Sequence, residues 1–356
     1  MLALIMAGGS GTRFWPKSRR KHPKQLLRII GERTLIQSTV DRLVPIISKD
    51  RIFIISTEEQ RVQIQQQLPS LPPENYIVEP RGKNTAPCIG LSAMFMERID
   101  PNGVMVVLPS DHLIVNNELF YKTLKAGAKI AAENDCLVTI GIPPNYPATG
   151  YGYIQCSAAL DPMDGVQVFK VKTFAEKPNL ETAQRFLDSG DFLWNSGIFI
   201  WRIPTILREI EEHLPHLYDG LMDVRAAIGT PQEAEVIKRV YCQIRSISID
   251  YGVMEQAKDV VVLKGQFGWN DLGSWDEVYK LFEQDSAGNV LLGKHIIKDA
   301  AGCFVDAPNK CVALVGVNDL IVVETDDALL ICPRDRAQDV KEVVEIAKRN
   351  GMEQYL

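Results

Sequence analysis

The sequence predicts an α/β fold, Rossmann-like, with a mixed but mostly parallel sheet flanked by helices and a small C-terminal β-rich module. Three observations lead there. Short apolar runs alternate with amphipathic stretches through the first half of the chain, the pattern of βα units stacked on a parallel sheet. A glycine turn follows directly on the first apolar run. Beyond Gly288 the helical period largely disappears until the C-terminus.

The elements follow in order. LALIMA is the first strand, and Thr34-Leu35-Ile36-Gln37 is a capping box that opens a helix through about Leu43. RIFIIST is the next strand, and Thr57-Glu58-Glu59-Gln60 opens a second helix by the same logic. Asn84 caps a helix running toward Arg98, with Pro87 tolerated in its first turn. VMVVL is a buried strand, a helix runs from Asn117 to about Glu133, and CLVTIGI is a further strand. After Pro143 the texture changes. YGYIQ and VQVFKVKTFAEKP are strands, with helices near Leu180–Leu187 and Thr205–His213. From Asn289 to Cys332, short apolar runs punctuated by Gly, Asp and Asn predict an all-β module with the character of a short solenoid. A last helix, about Arg334–Arg349, ends near Gly351. The division is an α/β domain over residues 1–285 and a β-rich domain over 286–356.

Composition narrows the function. The chain has 356 residues, a formal charge of −6 and 46% hydrophobic residues, which is globular and acidic. An acidic chain argues against a general nucleic-acid coat, which needs a broad basic face. No apolar run approaches the ~20 residues of a membrane span, and LALIMA is too short for a signal-peptide core. The seven cysteines are scattered without a CxxC pair, which reads as reduced thiols in a cytoplasmic protein. His213 and His216 flank Pro215 at a helix end and make no metal motif.

Against that background one stretch stands out. GGSGTRFWPKSRRKHPK carries six cations (Arg13, Lys17, Arg19, Arg20, Lys21, Lys24) and no acid. Glycines let backbone N–H groups approach phosphate oxygens without a Cβ in the way. The stretch is not a Walker A loop, since no Gly-Lys-Ser/Thr follows, and as a Rossmann fingerprint its third glycine position is Phe14. A solvated basic run or a nucleic-acid patch is the bland alternative. Position weighs against both, because these cations follow strand one, at the sheet edge where α/β proteins bind ligands. A triphosphate is the natural partner. The roles of Lys17, Arg19, Arg20 and Lys21 stay open.

The string Ala7-Gly8-Gly9-Ser10-Gly11-Thr12-Arg13-Phe14-Trp15-Pro16, followed by Pro23-Lys24, resembles the signature of the sugar nucleotidyltransferases. Its Phe-Trp-Pro form is similar to that of the bacterial mannose-1-phosphate guanylyltransferases, and the resemblance covers essentially the whole chain. It implies the nucleotide-diphospho-sugar transferase fold, GTP and mannose 1-phosphate as substrates, GDP-mannose and pyrophosphate as products, and Mg²⁺ as cofactor. It also implies a homodimer formed through the β-rich tail. Ala7 through Thr12 would bind the nucleotide, with Arg13 and Lys24 as the catalytic cations. Some relatives carry a further isomerase domain; this chain stops at Leu356, so no isomerase activity is expected.

The remaining motifs have readings of their own beside the resemblance. Asp111 in VLPSDH follows a buried strand, where it could simply cap a turn, and Asp271 in FGWNDLGSW could cap the next helix. Both suit Mg²⁺, which takes one or two protein carboxylates beside phosphate oxygens, and the resemblance assigns the metal to both. It gives Pro109 and Asp111 to the nucleotide as well, and leaves His112 without a role. EPRGKNTAP, from Glu79 to Pro87, is a turn and helix start on composition. By resemblance Glu79, Asn84 and Thr85 read guanine and ribose, and Lys83 stands where many relatives have Arg. TGYGYIQ, AEKP and WNSGIF read as polar islands between strands, suited to sugar hydroxyls. The resemblance places the sugar among Gly152, Glu176 and Asn195, with Lys177 on its phosphate. Two other readings remain: a transferase for another NTP and sugar phosphate pair, or a regulatory subunit that binds GDP-mannose without making it.

Overall fold

The computed structural model describes residues 1–9 and 11–356. The chain forms two compact units, and neither is one continuous stretch of sequence. One comprises Met1–Gly8 and Thr39–Trp269; the other comprises Gly9–Ser38 and Asn270–Leu356.

The helices and strands begin with β1 (Leu2–Met6), α1 (Leu35–Leu43), β2 (Ile52–Thr57), α2 (Glu58–Gln67) and β3 (Tyr76–Glu79). Next come α3 (Thr85–Glu97), β4 (Val104–Pro109), α4 (Asn117–Glu133) and β5 (Leu137–Ile142). The expected capping box at α1 is made: Gln37 N–H donates to Thr34 Oγ1 at 3.4 Å, and Thr34 N–H donates to Gln37 Oε1 at 3.1 Å. The one expected at α2 is not. Thr57 makes no side-chain cap bond, and Gln60 is buried.

A long hairpin, β6 (Gly152–Met163) and β7 (Val166–Glu176), then leads through α5 (Leu180–Ser189) to β8 (Phe192–Arg202). WNSGIF therefore lies inside a strand, not between strands. Its polar groups are accommodated where the ladder to β5 shifts register between Thr139 and Gly141. There Ser196 Oγ donates to the Ile140 carbonyl at 2.6 Å and accepts from Ile198 N–H at 3.2 Å. The side chain thus replaces ladder bonds lost at the bulge.

Past β8 come α6 (Ile203–His213), α7 (Pro215–Ala227), α8 (Glu233–Gln243) and β9 (Val260–Lys264). Pro215 reads in the sequence as a helix end. It is also the first residue of α7, a position where proline loses nothing because its N–H would be unpaired anyway.

In the first unit nine strands form one sheet in the order β3-β2-β1-β4-β8-β5-β9-β7-β6. The pairs β1–β2, β1–β4, β2–β3 and β5–β9 are parallel. Strand β8 runs antiparallel between β4 and β5, and β7 is antiparallel to both β9 and β6. Alternation along the strands divides the core. Leu2, Leu4, Met105, Val107, Phe199 and Trp201 pack with α3, α6, α7 and α8. The intervening Ile200 and Val138 face α4, where an added Cβ on Gly127 would sit 2.5 Å from Ile200 Cδ1.

The second unit joins the glycine turn to the tail. Its later elements are α9 (Trp275–Tyr279), β10 (Val290–Lys298), β11 (Phe304–Val315), β12 (Leu320–Glu324), β13 (Leu329–Pro333) and α10 (Val340–Arg349). Strands β10, β11 and β12 pair in parallel, and β13 closes the sheet antiparallel. Ala300, Cys303, Val305, Ala307, Leu314 and Val322 form its small core. The last helix is shorter than the sequence predicts, because Arg334–Asp339 winds as a tighter 3₁₀ turn before it.

Candidate active site

In the first unit the expected sugar residues converge by strand register. Gly152 on β6 lies opposite Glu176 on β7, and Tyr153 beside it pairs with Trp194 on β8. An added Cβ at Gly152 would stand 2.5 Å from Glu176 Oε2 and 3.4 Å from Asn195 Cβ. Only glycine leaves that space open. Lys177 follows at the end of β7 with a positive φ of 46°, and its ammonium pairs with Glu176 Oε1.

One residue of this cluster was missed in the sequence. Asn195 Nδ2 donates to Asp250 Oδ1 at 2.7 Å, while Asn195 Oδ1 accepts from Gly197 N–H at 3.1 Å. Burial, and then the nearby Glu176 charge, push the Asp250 carboxyl above its ordinary range. Glu255 is raised for the same kind of reason, burial first and then Asp250 and Glu176. The only signal in the sequence was an acid bracketed by Ile249 and Tyr251 in RSISIDYGVME, with no spacing that ties it to Asn195.

On the parallel half of the same sheet, Ala7 and Gly8 follow β1, with Ala7 N–H bonded to the Ile55 carbonyl at 2.8 Å. Glu79 ends β3 and is 4% exposed. An added Cβ at Gly8 would be 3.0 Å from Glu79 Oε1, so this carboxyl lies against the glycine. Burial pushes its pKa up to about 7, partly offset by the Tyr241 hydroxyl. Glu79 Oε2 is buried with no hydrogen-bond partner among the described residues. A group of this kind suits a ligand that brings N–H donors.

Asn84 caps α3 by accepting from Thr85 N–H at 2.9 Å. Thr85 Oγ1 accepts from Ile249 N–H at 2.8 Å, and Lys83 Nζ donates to the Ile244 carbonyl at 2.8 Å. These three side chains thus carry structural bonds that fix the segment after Glu79.

Pro109 ends β4 opposite Met6, and Asp111 lies just past it with its side chain 28% exposed. The structure also gives His112 a partner. Trp269 Nε1 is 3.0 Å from His112 Nδ1. Indole can only donate, so Nδ1 accepts and the neutral ring carries its proton on Nε2, 4.0 Å from Asp111 Oδ1. Trp269 continues into an edge-packed aromatic series through Tyr151, Trp194 and Tyr146.

The remaining site residues belong to the second unit. An added Cβ at Gly9 would meet no atom within 4 Å, and Ser10 lies outside the described residues. Gly11 adopts a left-handed φ of 63° and opens the turn Thr12–Phe14. A Cβ there would overlap Lys24 Cβ, so the position requires glycine on both counts. Arg13 Nε is buried with no hydrogen-bond partner among the described residues. Lys24 is 7% exposed; its ammonium donates to the Asp271 carbonyl at 2.7 Å and lies 5.4 Å from the Phe14 ring centroid.

The Asp271 carboxylate arches over Gly273, where an added Cβ would be 3.1 Å from both its oxygens. Asp111 in the first unit and Asp271 in the second each offer carboxylate oxygen, the donor that hard divalent cations such as Mg²⁺ take, so by donor chemistry each suits that ion. No helix among the described residues is long and apolar enough to cross a membrane.

The chain resembles known proteins along nearly its whole length. The nucleotidyl transferase family profile matches residues 2–288, and the MannoseP isomerase/GMP-like beta-helix domain profile matches residues 293–346. The chain is 38% identical over 359 residues to the mannose-1-phosphate guanylyltransferase of Klebsiella pneumoniae, covering 100% of this chain and 75% of that protein. It is 39% identical over 356 residues to the xanthan biosynthesis protein XanB of Xanthomonas campestris pv. campestris (strain B100), covering 99% and 74%. The crystal structure described as a mannose-1-phosphate geranyltransferase from Thermus thermophilus superposes with a TM-score of 0.88. It is 32% identical, over 98% of this chain and 99% of that one.

Proposed function

The chain belongs to the mannose-1-phosphate guanylyltransferase family of nucleotidyltransferases, and from that premise we propose that it transfers GMP from GTP to mannose 1-phosphate. The sugar phosphate oxygen attacks the α-phosphorus in line, pyrophosphate leaves, and GDP-mannose is the product. The nucleophile is already anionic, so the protein has no proton to remove. Its work is to bring two anions together and to offset their repulsion.

Arg13 and Lys24 would meet the triphosphate at the glycine turn, since preorganised cations act most on charge that develops in the transition state. Glu79, as a carboxylate, accepts from the guanine N–H edge. Glu176 and the Asn195–Asp250 pair hold mannose hydroxyls, and Lys177 turns its ammonium to the sugar phosphate. Asp111 and Asp271 would hold Mg²⁺, which when bound supplies further charge neutralisation for the phosphates.

The observation that carries this reading is Arg13 Nε, buried and unpaired among the described residues in a turn that Gly11 packs against Lys24. Such a turn suits a phosphate anion. The test is pyrophosphate release over a matrix of nucleoside triphosphates and sugar 1-phosphates with Mg²⁺ present. GTP with mannose 1-phosphate is expected to lead, with GDP-mannose as the product. A chain that binds GDP-mannose but never turns over would sink the reading.

We also assign the protein to the cytoplasm, where scattered cysteines such as its seven stay reduced. A homodimer through the β-rich module is supported by the exposed apolar side chains Ile296, Val315, Leu329 and Ile331. Sedimentation of the full chain tests it.

A further inference from the structure

Three of the cations between Arg13 and Lys24 have partners that the reaction does not use. Lys17 Nζ pairs with Asp306 at 2.5 Å, Arg19 with Asp327 at 2.8 Å, and Arg20 with Glu353 at 3.3 Å. Trp15 Nε1 donates to the Tyr355 carbonyl at 2.9 Å, and Trp275 Nε1 donates to the Trp15 carbonyl at 3.2 Å. Trp275 also joins the turn to the module core, its ring centroid 4.9 Å from Phe14 and 5.8 Å from Phe304. Every one of these contacts lies within the second unit, and each hydrogen-bond or ion-pair partner of the turn is at least 260 positions away in sequence.

The stretch that receives them has little structure of its own. Among the described residues between Gly9 and Thr34, its only helical segments are two single 3₁₀ turns, Thr12–Phe14 and Lys24–Leu26, and it contains no strand. A loop of that length inside a compact body is ordered by what it packs on. One exposed ion pair contributes only about 0–1 kcal/mol. Here several pairs converge with an indole hydrogen bond and an aromatic stack. Two of the cations, Lys17 and Arg19, have side chains only 27% and 14% exposed.

We propose that the C-terminal β-module is the seat of the catalytic turn: Asp306, Asp327, Glu353 and the Tyr355 carbonyl are positioning groups that hold residues 12–20, and with them Arg13, for phosphoryl transfer. The inference rests on the function proposed above, since it needs Arg13 to act on the nucleotide. It makes turnover depend on a module that carries none of the proposed substrate contacts.

The test uses the full chain with Asp306→Asn and Asp327→Asn combined, neither residue touching substrate. Turnover is expected to fall at least about tenfold, since a small displacement of positioned groups is costly, while KM for mannose 1-phosphate changes less than about twofold because its residues lie in the other unit. Amide hydrogen exchange should quicken at Phe14 and Ser18, whose N–H groups bond to the Gly11 and Phe14 carbonyls at 2.9 Å. Lys17→Asp should lose activity alone and regain part of it when combined with Asp306→Lys.

Turnover within about twofold of wild type in the folded double variant would overturn the inference, with or without faster exchange. If circular dichroism finds that variant unfolded, Trp15→Phe replaces it. That change removes the donor to Tyr355 and shortens the ring under the Arg19 guanidinium, which lies 5.7 Å from its centroid. Both contacts hold the turn, so a loss of roughly threefold or more is expected; no loss overturns the inference. A wild-type chain that makes no GDP-mannose defeats the proposed function instead, and the exchange result then still decides whether the module orders the turn.

Discussion

In the sheet unit, Gly152, Glu176 and Asn195 meet because three antiparallel strands hold them in register. In the second unit, Arg13, Lys24 and Asp271 are carried by turns, and side-chain bonds take the place of a ladder. The difference teaches where each set is vulnerable. A ladder spreads its free energy over many backbone bonds, so one side chain can change without moving its neighbours. A turn held by a few specific contacts moves when one of them is lost.

The sharpest way to break the comparison is at Lys24. Lys24→Met removes the ammonium from the Asp271 carbonyl and from the proposed phosphate site together. Turnover is expected to fall by about 10²–10³, the cost of losing one preorganised charge donor, with the fold intact by circular dichroism. Pyrophosphate release measures it.

The corresponding break on the sheet side should have another character. Gly152→Ala drives a methyl to 2.5 Å from Glu176 Oε2, and Asp250→Ala strands the Asn195 amide that it now accepts from. Each is expected to raise KM for mannose 1-phosphate about 10–100-fold, corresponding to about 1–3 kcal/mol for an unpaired buried polar group, with KM for GTP little changed. Asp250→Asn keeps an acceptor and should recover part of the loss. Equal effects on both substrates would dissolve the distinction between the two regions.

A smaller effect follows from Glu79, whose carboxyl has a pKa of about 7. An acid raised this far is largely neutral at pH 6 and ionised at pH 8. Only the ionised form accepts two guanine N–H groups, so kcat/KM for GTP should rise about tenfold between those values and level off above them. Glu79→Gln should lower the plateau and flatten this rise. A profile that keeps its slope in that variant assigns the titration to another group.

The smallest effect separates helix starts. Asn179 accepts from Thr182 N–H at the start of α5 at 2.9 Å, so Asn179→Ala should cost about 1 kcal/mol. Thr57→Ala, where no cap bond exists, should stay within about 0.5 kcal/mol in urea unfolding.

Much of this was legible in the sequence, and the reasons divide by distance. The parallel half of the sheet, the capped helices at Thr34 and Asn84, and the β-rich tail rest on local periodicity and local hydrogen bonds, which a short window records. Strand β8 was hidden because Asn195 and Ser196 interrupt its apolar pattern at a bulge, where their side chains take over bonding that the strand cannot make. Helix α7 was hidden because its opening proline also marks the end of α6. The glycine turn could be read from its own residues, but the pairing of Lys17, Arg19 and Arg20 with acids some three hundred positions away could not. Asp250 was missed for the same reason. Nothing in RSISIDYGVME signals Asn195, and only folding makes them neighbours.

The composition of the second unit also limits how such a chain can be rearranged. The turn Gly9–Ser38 and the stretch Asn270–Leu356 make one compact body, although more than two hundred residues of sequence separate them. A crossover between residues 288 and 293, at the border of the two family profiles, exchanges half of that body and keeps the other half. A chimera built there inherits a turn with the cations of one parent and a module with the acids of another. It should work only where Lys17, Arg19 and Arg20 find matching carboxylates. Modules divided by sequence are therefore not the modules that recombine freely, and a productive graft would carry residues 9–38 along with the tail.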